Sequence, residues 1–234
     1  MSVLDSIIEG VREDLAARRL PMGRLHEQLE QAPPVRDCLS TLLNEDISVI
    51  AEVKRSSPSK GALAEITDPA GLAAQYEEAG ASVISVLTEQ RRFGGSLADL
   101  DAVRKAVDLP ILRKDFMIDD YQFYEARAHG ADVVLLIVAA LSKNQLEDYY
   151  HLSKELGMRA LIEVHTPLEL ERALDVSPEI IGVNSRNLKT LDVDAQAFAQ
   201  LIPQIPATIV RVAESGISTR EEVAFAEQQG ATAI

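Results

Sequence analysis

Residues that can transfer protons stand at or near the ends of several short apolar runs in the sequence. Lys54, Lys114 and Glu163 occupy such positions, and Asn184 and Glu214 occupy two more. A lysine in a partly desolvated site close to other cations has a lowered pKa and can donate a proton near neutral pH, whereas a shielded glutamate can accept one. The pattern indicates general acid–base chemistry, provided that the fold brings the runs together.

The apolar runs predict parallel β-strands joined by helices. Several are almost continuously apolar, which is typical of strands covered on both faces, and helical patterns separate them. The first run lacks the glycine spacing that a doubly wound nucleotide-binding sheet requires there, so we predict an α/β fold of the closed (β/α)8 TIM-barrel type. The predicted strands cover residues 48–53, 82–87, 110–114, 132–137, 160–164, 180–184, 208–214 and 231–234.

Helical signals both precede and separate these strands. Leu4, Ile7 and Val11 belong to an apolar stripe at helical spacing, and a second short helix is expected over 23–31. Linkers and low-complexity tracts are lacking in the sequence. We therefore expect a single domain, with an extension over 1–46 and a barrel over 47–234 that ends within the eighth strand. Four glycines are expected to end helices: Gly80, Gly130, Gly157 and Gly230.

In a parallel barrel, the C-terminal ends of the strands meet at one mouth, where barrel enzymes place their chemistry. Lysines facing glutamates there are equally what a structural ion-pair network would contain, so the residues alone leave that reading open. Small residues before a helix expose backbone amides that can hold a phosphate. The polar and small residues at the predicted ends are Glu52, Lys54, Lys114, Glu163, Asn184, Arg186, Glu214, Ser215 and Gly216.

Composition narrows the class of protein. The 234 residues carry 23 Lys and Arg against 37 Asp and Glu, a net charge of −14, which disfavours nucleic acids and anionic membranes as partners. The single cysteine, Cys38, excludes a disulfide framework and suits a reducing cytoplasm. No pair of histidines has metal-ligand spacing, so we expect no metal, and we predict structural roles for all four: His26, His129, His151 and His165.

Seven segments also carry a family resemblance, in order from the first predicted strand to the seventh: 50–61, 93–97, 112–116, 135–138, 161–165, 184–188 and 213–217. In these segments the sequence resembles the indole-3-glycerol phosphate synthases, the barrel enzymes of tryptophan biosynthesis. The resemblance implies ring closure of 1-(2-carboxyphenylamino)-1-deoxyribulose 5-phosphate with loss of carbon dioxide and water. It implies no cofactor, because each step is proton transfer or carbonyl chemistry.

The resemblance also assigns roles to residues. Lys114 corresponds to the general acid, Glu163 to the general base, and Lys54 to a cation near the substrate's carboxylate and carbonyl. The remaining matches fall into five groups: Glu52, Asn184 and Glu214 orient these groups and bind hydroxyls; Ser57 and Arg186 line the site; Pro58 shapes the first loop; Phe116, Leu136 and Leu188 enclose the aromatic ring; Ser215 and Gly216 supply phosphate-binding amides.

Two departures from the family pattern raise alternatives. Ser185 stands where many members have asparagine, and the sequence stops at Ile234, before the second phosphate turn of the family. We expect the first and seventh strand edges to be unpaired and the phosphate site to be half complete. The alternative to an active synthase is a non-catalytic barrel fragment, and a weaker one is another ribose-phosphate barrel such as the preceding isomerase. As partners we expect a small phosphorylated substrate and a monomer or weak homo-oligomer, with association with other tryptophan-pathway enzymes left open.

Overall fold

A computed structural model describes residues 2–44, 46–63, 65–188, 190–194 and 196–234. Within these ranges, seven strands form one parallel sheet, and each strand pairs with the next along the chain. This order and the intervening helices confirm the predicted barrel-type α/β fold. The strands are β1 (Ile50–Val53), β2 (Val83–Leu87), β3 (Ile111–Lys114), β4 (Val133–Ile137), β5 (Arg159–Val164), β6 (Ile180–Asn184) and β7 (Val210–Glu214).

Helices lie between the strands and before the first strand, as the sequence patterns predict, and one further short helix is present. Capping boxes join Ser142 to Gln145 and Thr219 to Glu222 at the starts of two of these helices. None of the helices in the described ranges is long and apolar enough to cross a membrane. The helices are α1 (Val3–Arg18), α2 (Met22–Glu30), α3 (Cys38–Leu42), α4 (Pro69–Glu78), α5 (Leu97–Ala106), α6 (Tyr121–Ala128), α7 (Lys143–Glu155), α8 (Pro167–Leu174), α9 (Gln196–Leu201) and α10 (Arg220–Gln228).

Two layers of apolar side chains hold the sheet. One layer lies between the sheet and the surrounding helices and includes Ile84, Leu136 and Ile162, each of them completely buried. The other lies on the inner face of the sheet and includes Leu112 and Leu161. Successive side chains on a strand point to opposite faces, so every strand contributes to both layers. That alternation decides which residues reach the barrel interior.

The N-terminal extension adds to the inner layer. Leu4, Ile7 and Val11 of α1 are buried in the same cluster as the inward-facing strand residues. Cys38 and Leu42 of α3 are buried there too, and this short helix lies outside the sequence-based prediction. The extension therefore packs on the barrel.

Residues 232–234 connect the two edges of the seven-stranded sheet. The Ile50 amide donates to the Ile234 carbonyl at 2.8 Å, and the Ala213 amide donates to the Ala233 carbonyl at 2.9 Å. The expectation that the edges of β1 and β7 are unpaired is therefore wrong. Three residues are enough to reach both neighbours, because successive residues direct their backbone groups to opposite sides: Ala233 bonds to β7, and Ile234 bonds to Ser48 and Ile50.

Candidate functional site

Strand alternation places charged groups inside the barrel. Glu52, Lys114 and Glu163 face inward from β1, β3 and β5, and they line one cavity of about 500 Å³. Asn184 at the end of β6 and Glu214 at the end of β7 complete the ring. Convergence of the strand ends thus brings five of the predicted residues to one place.

Lys114 is at the centre of an ion-pair cluster. Its Nζ lies 2.7 Å from Glu214 Oε2 and 3.3 Å from Glu52 Oε2. Lys54 Nζ donates to the other oxygen, Oε1, of Glu52, so one carboxylate holds both lysines. The Lys114 side chain keeps 21% of its surface exposed, towards the cavity. Its ammonium group is therefore held by two carboxylates and open to a ligand.

The electrostatics of Lys114 differ from the prediction that nearby cations would lower its pKa. Burial does lower the pKa of Lys114, but the carboxylates of Glu214, Glu52 and Glu163 together raise it above the ordinary lysine value. The same pairing works in reverse on Glu52. Burial raises the pKa of Glu52, and Lys114 and Lys54 bring it below the usual range. Lys114 is thus a charged ammonium group at neutral pH.

Glu163 has the opposite environment. Its side chain is 2% exposed, and burial, together with the neighbouring charge of Glu214, raises its pKa to about 7, although His165 and Lys114 lower it. A hydrogen bond from Asn184 also lowers the pKa of Glu163. A carboxyl group that titrates near neutral pH can accept a proton and release it again.

The positions of Glu214 and Asn184 follow from strand register. Asn184 pairs with Glu214 across β6 and β7, and Gly182 pairs with Glu163 across β5 and β6. A Cβ atom on residue 182 would lie 1.9 Å from Glu214 Oε1, so the glycine leaves the space that the carboxylate occupies. Asn184 Oδ1 accepts from the Arg186 backbone amide at 2.9 Å, and this bond fixes the orientation of the Asn184 side chain.

The turn after β7 has an unusual backbone. Ser215 and Gly216 both adopt left-handed conformations, with φ of 67° and 71°. The Ser185 hydroxyl donates to the Ser215 carbonyl at 3.0 Å and holds the turn. The prediction placed this turn at a helix N-terminus. The helix begins only after Thr219, and the Glu222 carboxylate accepts from the Ser218 and Thr219 amides before it, so the turn itself faces the cavity.

The walls of the cavity are largely apolar. Phe116 and Leu188 line it as predicted, and so do Ser57, Pro58 and Arg186. Leu136 does not fit the prediction that it encloses the ring of the substrate. It is completely buried in the outer layer, because its neighbours on β4 occupy the inward positions. The inward-facing residues of that strand are Leu135 and Ile137.

Sequence reasoning missed several residues at this site. Phe93 lines the cavity and lies 6.1 Å from Phe116 between ring centroids, and Ile7 reaches the cavity from α1. His165, predicted to be structural, is buried with its Nε2 atom 3.4 Å from Glu163 Oε1. The sequence could have shown this, because residues two apart on a strand lie on the same face, which places residue 165 on the same face as residue 163.

Comparison with known proteins identifies the family. The family model described as indole-3-glycerol phosphate synthase matches residues 4–234. The chain belongs to the indole-3-glycerol phosphate synthase family. It is 56% identical to indole-3-glycerol phosphate synthase 1 of Streptomyces coelicolor, covering 100% of this chain and 88% of that protein. It is 57% identical to the indole-3-glycerol phosphate synthase of Paenarthrobacter aurescens, with 100% of this chain and 89% of that protein covered.

Solved structures of other barrels share the fold of this family member at low sequence identity. A 3-hexulose-6-phosphate synthase superposes with a TM-score of 0.60 and 13% identity, over 80% of this chain and 87% of that one. The N-acetylmannosamine-6-phosphate 2-epimerase of Clostridium perfringens gives 0.62 and 14%, over 86% and 89%. At such identities the likeness establishes the barrel fold alone.

Proposed function

We propose that this protein converts 1-(2-carboxyphenylamino)-1-deoxyribulose 5-phosphate to indole-3-glycerol phosphate, carbon dioxide and water. The observation that carries the proposal is that one cavity holds both a charged lysine and a carboxyl group whose pKa is close to 7. Lys114 holds a proton that three carboxylates keep in place, and Glu163 has a pKa of about 7. Membership of the family agrees with this chemistry.

In this proposal Lys114 is the general acid. Attack of the aromatic ring carbon on the ketone turns the carbonyl oxygen into an alkoxide, and the Lys114 ammonium gives that oxygen a proton. Glu52 and Glu214 hold the ammonium in position at 3.3 and 2.7 Å. The same lysine can later protonate the departing hydroxyl, once it has recovered a proton. Lys54 supplies a second positive charge beside Glu52 for the substrate's carboxylate.

Glu163 is the general base. Loss of carbon dioxide restores the aromatic ring, and departure of the hydroxyl as water requires that one proton leave the methylene carbon next to nitrogen as the pyrrole forms. A carboxylate in a buried site accepts such protons well, because water does not compete for it. Asn184 bonds to this carboxyl group and to the neighbouring backbone, so it keeps Glu163 oriented.

The cavity lining offers an apolar surface and a polar turn for the two ends of the substrate. The aromatic ring would lie against Phe116 and Leu188, with Leu135 replacing Leu136 in the set that sequence reasoning proposed. The phosphate would lie at the turn of Ser215 and Gly216, which lines the cavity and has the left-handed backbone found in anion-binding turns. This orientation places the ketone between the two ends, near Lys114.

The remaining proposals concern the protein's surroundings. We propose a cytoplasmic location, supported by Cys38, which is a buried free thiol. We also propose that the protein acts as a monomer or weak homo-oligomer. Association with other tryptophan-pathway enzymes stays a prediction that co-purification would test.

Replacing Lys114 with methionine tests the proposed function. We expect Lys114→Met to abolish formation of indole-3-glycerol phosphate while substrate affinity changes by no more than about tenfold, since other groups share the binding. Lys143→Met is the matched control, because Lys143 is an exposed lysine paired with Asp175 on the surface. Fluorescence of the indole product gives the rate, and calorimetry gives the affinity. Retention of more than about a tenth of the rate in Lys114→Met would show that another group is the acid.

A further inference from the structure

His165 is a buried titratable residue that the proposed mechanism does not use. Its side chain is 7% exposed, contacts the proposed base and is not part of the cavity lining. Among the residues that the structure describes, neither its Nε2 atom nor Oε1 of Glu163 has a hydrogen-bond partner, and the two atoms lie 3.4 Å apart. Two buried polar atoms without other partners that face each other call for an explanation.

The far side of the imidazole fixes which nitrogen carries hydrogen. His165 Nδ1 lies 3.2 Å from Glu169 Oε2, and the His165 backbone amide donates to the same oxygen at 2.7 Å. An ionised carboxylate only accepts, so Nδ1 must carry its hydrogen. That leaves Nε2 as the atom that can exchange a proton with Glu163. At 3.4 Å the two atoms are within ion-pair distance but without hydrogen-bond geometry, and catalytic contacts are often long or poorly aligned before substrate binds.

We propose that Glu163 and His165 share one proton, and that His165, anchored by Glu169, is the positioning residue that keeps Glu163 ionised and ready to act as a base. The inference rests on the proposed function of Glu163. In turnover the pair starts with Nε2 unprotonated: once Glu163 has taken a proton from the substrate, its O–H bond breaks and an N–H bond forms at His165 Nε2, so the shared proton is the one that came from the substrate. Glu163 is then a carboxylate again, and the imidazolium is balanced by Glu169.

The charges around His165 favour this arrangement. Burial lowers the pKa of His165, but Glu169 on α8, Glu163 on β5 and Glu214 on β7 together raise it. His165 in turn lowers the pKa of Glu163, as does Lys114 on β3. Because the two groups interact, each proton-transfer equilibrium belongs to the pair rather than to either residue.

The first experiment measures kcat/KM against pH. His165→Gln keeps an amide near the position of Nε2 but cannot titrate. We expect the acidic limb of the profile to move up by ~1 pH unit, because an imidazolium no longer lowers the pKa of Glu163. Glu169→Gln keeps an oxygen for the His165 amide while removing the charge, and should move the limb in the same direction. His151→Gln, on the exposed face of α7, is the control and should leave the profile unchanged.

The second experiment needs no turnover. The imidazole of His165 is titrated by NMR in the substrate-free wild type and in Glu163→Gln. We expect the pKa of His165 to fall in the variant, because coupling between two sites is reciprocal. An unchanged His165 titration in Glu163→Gln, together with an even loss of rate at all pH values in His165→Gln, would overturn the shared proton. If the wild type forms no indole-3-glycerol phosphate, the proposed function fails, while the NMR titration still decides on the pair.

Discussion

The chemistry of this site depends on how two ionisable side chains are surrounded. Lys114 and Glu163 face the same cavity, yet Lys114 is held charged by carboxylates while burial holds the pKa of Glu163 near 7. Residue types alone indicated an acid and a base. They did not give the direction of the lysine's pKa shift, because that direction depends on which charges the fold brings next to Nζ. The partner Glu214 lies 100 positions away in the sequence.

Glu163→Gln separates the catalytic role of this residue from a structural one. We expect the rate to fall by ~10² to 10⁴, the usual contribution of one general base. Burial and Glu214 raise the pKa of Glu163 from 4.5 to about 7, so the folded wild type holds a proton that the unfolded chain has lost between these values. Wild-type stability from this group is present at low pH and decreases as the pH rises through that window.

Glutamine does not titrate, so the stability of Glu163→Gln relative to wild type should increase between pH 5 and pH 8, by on the order of 1–3 kcal/mol. Thermal melts of both proteins across this range measure the difference. If the variant instead loses as much free energy of unfolding at pH 8 as the fall in rate represents in activation free energy, Glu163 would be part of a structural ion pair.

At the scale of elements, the two faces of β3 have different roles: one face lines the cavity and the other forms buried ion pairs. Lys114 faces the cavity, and the preceding Arg113 is completely buried on the outer side. The guanidinium of Arg113 donates to Asp115 at 3.0 Å and to Glu125 of α6 at 2.9 Å. Arg18 at the end of α1 donates to the other oxygen of Glu125 at 2.9 Å. The extension is thereby linked to the strand that carries the proposed acid.

Glu125→Gln tests the strength of this link. Removing one partner leaves Arg113 charged and undercompensated in a buried site, which typically costs about 3–5 kcal/mol. Arg18→Met is the matched comparison and should cost less, because the Arg18 side chain is 32% exposed and solvent compensates for its loss. Denaturant unfolding measures both. Equal and small losses would mean that Glu125 is dispensable for the packing of β3.

Burial raises the pKa of Glu125, and Arg113 and Arg18 bring it below the ordinary value. The stability that it adds is therefore present above the unfolded glutamate pKa of ~4.3 and is lost as the pH falls further. The difference between wild type and Glu125→Gln should narrow in acid.

Elements were more predictable than the faces that they present. Apolar runs gave the strands to within a few residues, because nearly continuous apolar sequence is what a strand covered on both sides requires. Which of Leu135 and Leu136 faces inward depends on the phase of the alternation, and an unbroken apolar run such as β4 contains no polar residue to mark that phase. On β5, Glu163 does mark it, and His165, one strand period later, lies next to Glu163.

For the whole molecule, the most consequential difference from the sequence-based prediction is at residues 232–234. Besides the bonds to Ile50 and Ala213, the Thr232 amide donates to the Arg211 carbonyl at 2.8 Å, and Ser48 accepts from the Ile234 amide at 2.9 Å. A short segment thus ties the first strand to the seventh. The sequence-based expectation treated the eighth strand as missing because the sequence stops at Ile234, although successive residues of even a short segment direct their backbone groups to opposite neighbours.

Deleting residues 232–234 should therefore destabilise the barrel more than its size suggests. Each backbone hydrogen bond contributes ~0.5–1.5 kcal/mol, so losing this set should cost a few kcal/mol. A loss of that size lowers the melting temperature of a domain of this length by on the order of 10 °C. Thr232→Val is the control, since it removes the side-chain hydroxyl that accepts from the Arg211 amide but keeps the backbone bonds. Ile234 also lines the cavity, so the deletion should weaken substrate binding as well. Calorimetric melts of the three proteins test this. Equal melting temperatures would show that the barrel does not need residues 232–234 to connect β1 and β7.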